Sequence, residues 1–283
     1  MKKITTILVL MLLAVVTASA QQKNKSLLIL HTNDTHSCIT PLNPNLADTL
    51  LAGRGGFLRR IAMLKEERQK NPDLLYFDSG DFSQGSSYYT MYKGDVEIGL
   101  MNMMGIDAST IGNHEFDFGM ENMARLFRKA NFPILCSNYD FTGTPCEGIV
   151  KPYTIIRRNG VKIGVFALDP KLDGLVSTQN YGTAKYLDPV AKANEWASFL
   201  KNKKKCDLVI LISHLGWIEN DMGDQQVIAN SRNIDIVLGG HSHTYFEELR
   251  YVKNLDGKDI PVDQNGKHGI FIGKIELNMA PRK

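Results

Sequence analysis

The feature that most constrains the fold is an aliphatic run, Leu27 to Leu30, that is followed almost at once by Asp34 and His36. A continuous aliphatic run is typical of a parallel strand buried on both faces, and open α/β sheets bind ligands at the carboxyl ends of such strands. A carboxylate and an imidazole two residues apart offer an oxygen and a nitrogen ligand to one divalent cation. Most Asp-x-His pairs are nevertheless solvated loop residues, so this pair alone does not establish a metal site.

Four further strand-like runs end in the same kind of residue. The candidate ligands after them are Asp81, then Asn113 and His114, then His214, and finally His241 and His243. A single histidine at a strand end is usually held by a hydrogen bond and binds no metal. For the whole set, such a separate explanation would be needed at each of the five strand ends. We therefore expect five strands of one sheet to bring these side chains to one edge, where they form a metal site.

The number of candidate ligands indicates two ions. A tetrahedral zinc site uses about four ligands. Without His114, the strand ends still offer Asp34, His36, Asp81, Asn113, His214, His241 and His243. This set suits two ions that share a bridging carboxylate, and Asp81 is the expected bridge. Two ions about 3.5–4 Å apart polarise a phosphoryl group and generate hydroxide near neutral pH.

The first twenty residues are expected to be a secretory signal peptide. Lys2 and Lys3 precede an apolar core at 7–16, and residues 17–20, Thr-Ala-Ser-Ala, provide a small-x-small cleavage site. The core is too short for a transmembrane helix, and no cysteine follows the cleavage site, which argues against a lipoprotein anchor. We expect cleavage after Ala20, no membrane span, and a mature protein that is periplasmic or secreted.

Charge and cysteine content exclude some classes of function. Removing the two signal-peptide lysines lowers the formal net charge from +3 to about +1, which leaves no electrostatic footprint for nucleic acid polymers. The lysine-rich stretch 201–205 is interpreted as a solvated helix end. The four cysteines, Cys38, Cys136, Cys146 and Cys206, show no CxxC spacing. Export permits disulfides, and the spacing leaves their connectivity open.

Strand-like and helical segments alternate along the rest of the chain, as in βαβ units. The predicted strands lie at about 27–30, 74–77, 108–111, 133–137, 208–212, 234–238, 248–252 and 270–277. The predicted helices span about 57–69, 96–104, 121–130 and 189–200. Residues 153–158 and 161–168 flank Asn159-Gly160, which is typical of a β-hairpin. The pattern predicts an α/β fold, a four-layer αββα sandwich of two mixed sheets flanked by helices, forming one domain over 21–283.

Five motifs together resemble those of the calcineurin-like metallophosphoesterases, and among them the catalytic domain of bacterial periplasmic 5′-nucleotidases. They are His-Thr-Asn-Asp-Thr-His at 31–36, Gly-Asp at 80–81, Gly-Asn-His-Glu-Phe-Asp at 112–117, Ser-His-Leu-Gly at 213–216 and Gly-Gly-His-Ser-His at 239–243. They follow the family's order and spacing, and the third narrows the resemblance to the nucleotidase branch. The resemblance implies that one ion binds Asp34, His36, Asp81 and His243, and the other binds Asp81, Asn113, His214 and His241.

The resemblance also implies that His114 and Asp117 are catalytic and are not metal ligands. His114 would stabilise the transition state and assist the leaving group, while Asp117 orients its imidazole. The implied reaction is hydrolysis of a nucleotide to a nucleoside and phosphate by a metal-activated hydroxide. Several nucleotidases carry an amide at the position of His243, a difference that bears on metal preference. Zn, Mn, Fe and Co all suit such mixed nitrogen and oxygen ligands.

The sequence leaves several alternatives open. Related nucleotidases usually carry a second, carboxy-terminal domain that binds the nucleotide, and this chain stops at Lys283. We therefore expect that half to lie on a separately encoded partner, or this domain to act alone on small phosphate esters. Rival activities are 2′,3′-cyclic phosphodiesterase, UDP-sugar diphosphatase and sulfur-ester hydrolase. A rival of another class is a non-catalytic metal- or nucleotide-binding subunit of a two-chain complex. The presence of His114 and Asp117 makes this alternative less favoured, because a protein that only bound metal would have no need of the pair.

Overall fold

A computed structural model describes residues 25–217 and 222–279, and the expected signal peptide lies outside this range. The strands are β1 (Lys25–Thr32), β2 (Leu75–Asp78), β3 (Ala108–Thr110), β4 (Ile134–Leu135), β5 (Tyr139–Asp140), β6 (Tyr153–Arg158), β7 (Val161–Leu168), β8 (Lys185–Tyr186), β9 (Leu208–Ser213), β10 (Ile236–Leu238), β11 (Arg250–Lys253), β12 (Asp259–Asp263) and β13 (Gly273–Met279). The α-helices are α1 (Phe57–Lys70), α2 (Ser87–Tyr92), α3 (Asp95–Met101), α4 (Gly119–Phe127), α5 (Thr178–Tyr181), α6 (Pro189–Ser198) and α7 (Asp224–Ala229). A 3₁₀ turn covers His114–Phe116, and a π-helical segment, Phe199–Lys203, extends α6.

The strands form two large mixed sheets. The first has the order β13-β1-β2-β3-β4 and the second the order β11-β12-β10-β9-β7-β6, while β5 and β8 form a separate pair. β1 to β4 run parallel, as do β7, β9, β10 and β12, and the remaining strands of both sheets pair antiparallel at their edges. The β6–β7 hairpin turns at Asn159 and Gly160, both with positive φ, which confirms the expected Asn-Gly turn.

The layers follow from the alternation of side chains along each strand. On β2, Leu75 and Phe77 pack between the sheets against second-sheet residues such as Ile163 and Ile212. Tyr76 points the other way, into a cluster built with α1, α3 and α4. On the far side, α6 and α7 cover the second sheet. The order helix, sheet, sheet, helix confirms the predicted αββα sandwich.

Some expectations about the fold were wrong. The five ligand-bearing ends do not belong to one sheet, because β1, β2 and β3 lie in the first sheet and β9 and β10 in the second. Tyr88, Tyr89 and Tyr92 lie on α2, a helix that the sequence did not predict and whose first turn is capped by the Ser86 hydroxyl. The short strand β12 was also missed.

Two observations bear on the cysteines and on membranes. Cys38, Cys136, Cys146 and Cys206 are all buried free thiols, so none of these four forms a disulfide in this structure. Within the described residues, no helix has the length and apolar character that crossing a bilayer requires.

The packing between the sheets gives a stability prediction. Phe77 is 0% exposed in that layer, so Phe77→Ala should lower the free energy of unfolding by about 3–5 kcal/mol through lost burial and a residual cavity. Leu58 on α1 is 66% exposed, and Leu58→Ala should change it by less than about 0.5 kcal/mol. Urea unfolding of both variants measures the difference, and equal effects would contradict the assignment of Phe77 to the core.

Candidate active site

The structure brings the predicted strand ends together at one end of the sandwich. Ligand atoms of Asp34, His36 and His243 lie within 4.8 Å of one another, and so do those of Asp81, His214 and His241. Each group contains three of the four residues in one of the two ligand sets that the resemblance implies. A third such group, His36, Asp81 and His114, joins them. The expected convergence is therefore observed, although the strand ends come from both sheets.

Unusual backbone geometry aims these side chains inward. Non-glycine residues rarely adopt positive φ, and those that do cluster at functional sites. Five of the candidate ligands do so: Asp34 (φ 49°), His36 (40°), Asp81 (52°), His241 (71°) and His243 (55°). Hydrogen bonds between loops hold the turns, for the amides of Asp34 and His36 donate to the carbonyls of Gly80 and Asp81, each at 2.9 Å. The loops after β1 and β2 thus fix each other.

Asp81 lies at the centre of the cluster. Its Oδ1 accepts a hydrogen bond from the His114 amide at 2.9 Å, and its Oδ2 lies 3.1 Å from His214 Nε2. Burial disfavours the charged carboxylate, but the neighbouring imidazoles of His214, His36 and His114 outweigh burial and hold the pKa of Asp81 below its usual range. A side chain on Gly112 would overlap the Asp81 carboxylate, so glycine is required there.

Two buried atoms indicate that the site is suited to cations. Asn113 Oδ1 is buried without a hydrogen bond, and the buried His214 Nε2 faces the Asp81 carboxylate at 3.1 Å. His214 Nδ1 is held by the Ser79 carbonyl at 2.6 Å, the arrangement that leaves Nε2 as a metal ligand. Although burial opposes it, the Asp81 and Asp34 carboxylates raise the pKa of His214, so a proton balances their charge where no cation is bound. Metal binding releases such protons.

Two neighbouring histidines, His36 and His241, have lowered pKa values. Burial, together with the nearby His214, lowers the pKa of His241 to about 4, and burial lowers that of His36. Both imidazoles are therefore neutral near pH 7, as metal ligation requires. The donor set of carboxylates, neutral imidazoles and one amide oxygen fits divalent transition ions such as Zn and Mn.

His114 and Asp117 form a half-exposed pair beside these buried groups. The 3₁₀ turn places them three residues apart, with His114 Nδ1 3.0 Å from Asp117 Oδ2, and each side chain is 31% exposed. Burial lowers the pKa of His114, but Asp117 and Asp81 outweigh burial and raise it. The side-chain amide of Asn180 donates to the backbone carbonyl of Asp117 at 2.9 Å. An imidazole oriented by a carboxylate and open to solvent is suited to transferring a proton to a bound molecule.

Sequence reasoning missed residues that hold the ligands in place. Glu115 is buried and accepts hydrogen bonds from the amides of Asp81, Ser83 and Gly112 at 3.0, 3.1 and 2.5 Å. Burial, and then the Asp81 charge, raise its pKa to about 7. Its place between His114 and Asp117 in the third motif was the available signal. Asn33 likewise donates to Asp34 Oδ2 at 2.6 Å.

Further buried carboxylates surround the site. Asp78 is the last residue of β2 and Asp169 directly follows β7, so the same strand-end rule would have found both, whereas Asp224 lies on α7 and follows no strand. Burial raises their pKa values, to about 6 for Asp78 and about 7 for Asp169 and Asp224. Asp169 Oδ1 accepts a hydrogen bond from Thr110 Oγ1 at 2.8 Å. A bound cation nearby would favour the ionised forms of these acids.

The raised pKa of Asp169 gives a prediction about pH and stability. Between about pH 4 and its folded pKa of about 7, the folded protein holds a proton on Asp169 and the unfolded chain does not. Asp169 therefore contributes stability that grows as the pH falls through this window. In chelator-treated protein, wild type should gain about 1 kcal/mol per pH unit over Asp169→Asn between pH 7 and 5. Urea unfolding at several pH values measures this, and a pH-independent difference would contradict it.

Comparisons with known proteins agree with this geometry. Human 5′-nucleotidase is 30% identical over 276 residues, which cover 90% of this chain and 47% of that protein. A 5′-nucleotidase precursor from Thermus thermophilus has a TM-score of 0.80 at 28% identity, over 89% of this chain and 51% of that one. For the NAD nucleotidase of Haemophilus influenzae the TM-score is 0.77 at 25% identity, over 90% of this chain and 48% of that one.

The extent of these matches defines what is shared. The chain spans less than half the length of several curated relatives that it matches. A family model described as calcineurin-like phosphoesterase matches residues 27–245, a range that contains all of the candidate ligands together with His114 and Asp117. The chain therefore belongs to the calcineurin-like phosphoesterase family.

Proposed function

We propose that this protein is a metal-dependent phosphoesterase of the 5′-nucleotidase type, which hydrolyses nucleotides to nucleosides and phosphate. The observation that carries the proposal is the half-exposed His114–Asp117 pair beside two groups of converging ligand atoms. A site that only bound metal would have no need of an oriented, solvent-accessible imidazole. Similarity to human 5′-nucleotidase and to the Thermus precursor supports the choice of nucleotides as substrates.

The ligands divide into two sets that share Asp81. Asp34, His36, Asp81 and His243 would hold one divalent ion, and Asp81, Asn113, His214 and His241 the other. The ions, Zn, Mn, Fe or Co, would supply Lewis acidity toward the phosphoryl oxygens and an activated water. Asp81 is suited to the shared position because its two oxygens face different neighbours, His114 on one side and His214 on the other.

His114 would act on the leaving group. Its Nδ1 faces Asp117 at 3.0 Å, so Nε2 is the nitrogen available to a substrate. The raised pKa of His114 favours the imidazolium near neutral pH, which stabilises negative charge on the phosphoryl group and donates a proton to the departing oxygen. Asn180, by holding the Asp117 backbone, fixes the carboxylate that orients the ring.

We also propose that a further portion of chain completes the nucleotide site. The curated relatives contain a comparable length of sequence outside the matched region. A nucleotide-binding domain of this kind, on whichever polypeptide it lies, is the partner that we expect. Co-purification of the native protein with such a polypeptide would support this proposal, and a stable monomer with full activity on nucleotides would contradict it.

Substitutions of His114 and Asp81 distinguish a proton donor from a metal ligand. His114→Ala should lower kcat by about 10²–10⁴-fold while the protein still binds two ions, because His114 belongs to neither proposed ligand set. Asp81→Asn should abolish hydrolysis and reduce the bound metal, since it removes the shared carboxylate. Metal analysis and phosphate release from AMP provide both readouts.

A nearby histidine serves as the matched control. The His268 ring lies 6.1 Å from that of His36 but belongs to neither proposed ligand set, so His268→Ala should retain both ions and hydrolysis. Full activity in His114→Ala, or two tightly bound ions in Asp81→Asn, would contradict the corresponding assignment.

Export rests on residues 1–20, whose basic head, apolar core and small-residue cleavage site are typical of a signal peptide. The protein secreted by its native cell, or exported to the periplasm, should begin at Gln21, as amino-terminal sequencing would establish. Recovery of intact chain beginning at Met1 from the cytoplasm would contradict this proposal.

A further inference from the structure

A buried polar pair joins the two sheets near the candidate metal site. Leu27 and Ile29 on β1 pack between the sheets, and the alternation of side chains along a strand places His31 on the same face. The His31 ring is fully buried, and its Nε2 lies 2.8 Å from Oδ2 of Asp263, the last residue of β12. Asp263 is also buried. The pair therefore links β1 of the first sheet to β12 of the second.

The fold makes room for this pair at Gly273. Gly273 lies opposite His31 in the register of β1 and β13, and a Cβ at that position would overlap both His31 Nε2 and Asp263 Oδ2. Apolar residues of similar volume often stabilise a protein at least as well as a buried polar pair does. Stability alone therefore does not explain why this layer contains a histidine and a carboxylate.

The residues that follow Asp263 hold the side chain of Asn33. The backbone amide of Asn265 donates to Asn33 Oδ1 at 2.9 Å, and Asn33 Nδ2 donates to the Gly266 carbonyl at 2.7 Å. The Asn265 side chain also contacts the His31 ring, with its Nδ2 3.0 Å from Nε2. The position of the loop after β12 therefore decides where the Asn33 side chain lies.

Asn33 and the same loop in turn fix Asp34. Asn33 Nδ2 donates to Asp34 Oδ2 at 2.6 Å, and the backbone amide of His268 donates to the Asp34 carbonyl at 2.7 Å. The backbone amide of His241 donates to both carboxylate oxygens, at 2.9 Å to Oδ2 and 3.2 Å to Oδ1. Oδ1 lies 3.4 Å from His243 Nε2. These contacts turn Oδ1 toward the imidazole with which Asp34 would share an ion.

We propose that His31 and Asp263 are positioning residues for metal binding. Their contact across the sheets fixes the loop after β12, and through Asn33 this loop holds the Asp34 carboxylate toward the ion that His243 would also bind. The inference rests on the proposed function, because it takes Asp34 as a metal ligand. Removing a buried partner that orients a metal ligand typically lowers metal affinity by about 10–100-fold. A pair that served stability alone would leave the affinity of the folded protein unchanged.

Calorimetric titration of chelator-treated protein with Mn²⁺ measures this role. The wild type should bind two ions, and Asp263→Ala should weaken one of them by about 10–100-fold. Asp263→Asn keeps an oxygen that can accept a hydrogen bond from His31, so it should restore most of the lost affinity. When Asp263→Ala is added to His243→Ala, the affinity for the ion that does not use His243 should stay as it is in His243→Ala alone.

Asp107 provides the matched control. Its side chain is 7% exposed, and its Oδ1 accepts a hydrogen bond from Arg158 Nη2 at 2.5 Å. Arg158 ends β6 in the second sheet and Asp107 directly precedes β3 in the first, so this contact also joins the sheets, but at the amino end of β3, away from the ligands. Asp107→Ala should lower the free energy of unfolding and still bind both ions like the wild type.

An apolar pair separates positioning from stability. His31→Leu combined with Asp263→Leu removes the polar contact and refills its volume, so urea unfolding should show a folded protein of similar stability. This double variant should nevertheless bind one Mn²⁺ at least about tenfold more weakly than the wild type. Wild-type affinity for both ions in the folded double variant would overturn the inference.

The outcomes distinguish this inference from the proposed function. Weaker binding of one Mn²⁺ in Asp263→Ala, without hydrolysis of AMP by the wild type, would overturn the function and support the positioning role. Hydrolysis of AMP by the wild type, with unchanged Mn²⁺ affinity in Asp263→Ala, would overturn the positioning role alone. An equal loss of Mn²⁺ affinity in Asp107→Ala would also overturn it.

Discussion

The buried carboxylate of Asp81 is the constraint on which the site depends. A carboxylate without water around it must be paired or hydrogen-bonded, and its partners come from separate parts of the fold. His214 follows β9 in the second sheet, and His114 follows β3 in the first. His114 reaches Asp81 from the neighbouring strand of the same sheet, whereas His214 can reach it only if the two sheets stack with their parallel strands ending at the same side. The need to compensate the Asp81 charge therefore links the arrangement of the sheets to the geometry of the site.

The other acids around the site lead to the same conclusion. Besides Asp34 and Asp81, the buried acids there include Asp78, Glu115, Asp169 and Asp224. Burial raises the pKa of each of the last four, so a metal-free site would hold several of them protonated near pH 6. Ionising several buried acids together is unfavourable in the protein alone, and it becomes favourable when they surround a positive charge. We infer that the protein is built for the metal-loaded state.

Local sequence predicted much of the fold, and what it missed depends on distant contacts. Strand ends and the Asn159-Gly160 turn are signalled within a few residues, and they were found. The division of strands between two sheets depends on pairings such as Ile29 with Ile275, which no local pattern specifies. β12 contains Pro261 and is short, and α2 consists largely of tyrosine, serine and threonine. Neither composition favours its element, so tertiary contacts decide both.

The position of a residue at a strand end does not by itself decide whether it belongs to the candidate site. Asp78 is the last residue of β2 and Asp81 lies three residues beyond it, yet Asp78 accepts a hydrogen bond from Thr32 Oγ1 at 2.9 Å and Asp81 faces three imidazoles. The sequence offers the same residue type in both places, and the difference lies in what the other strands bring.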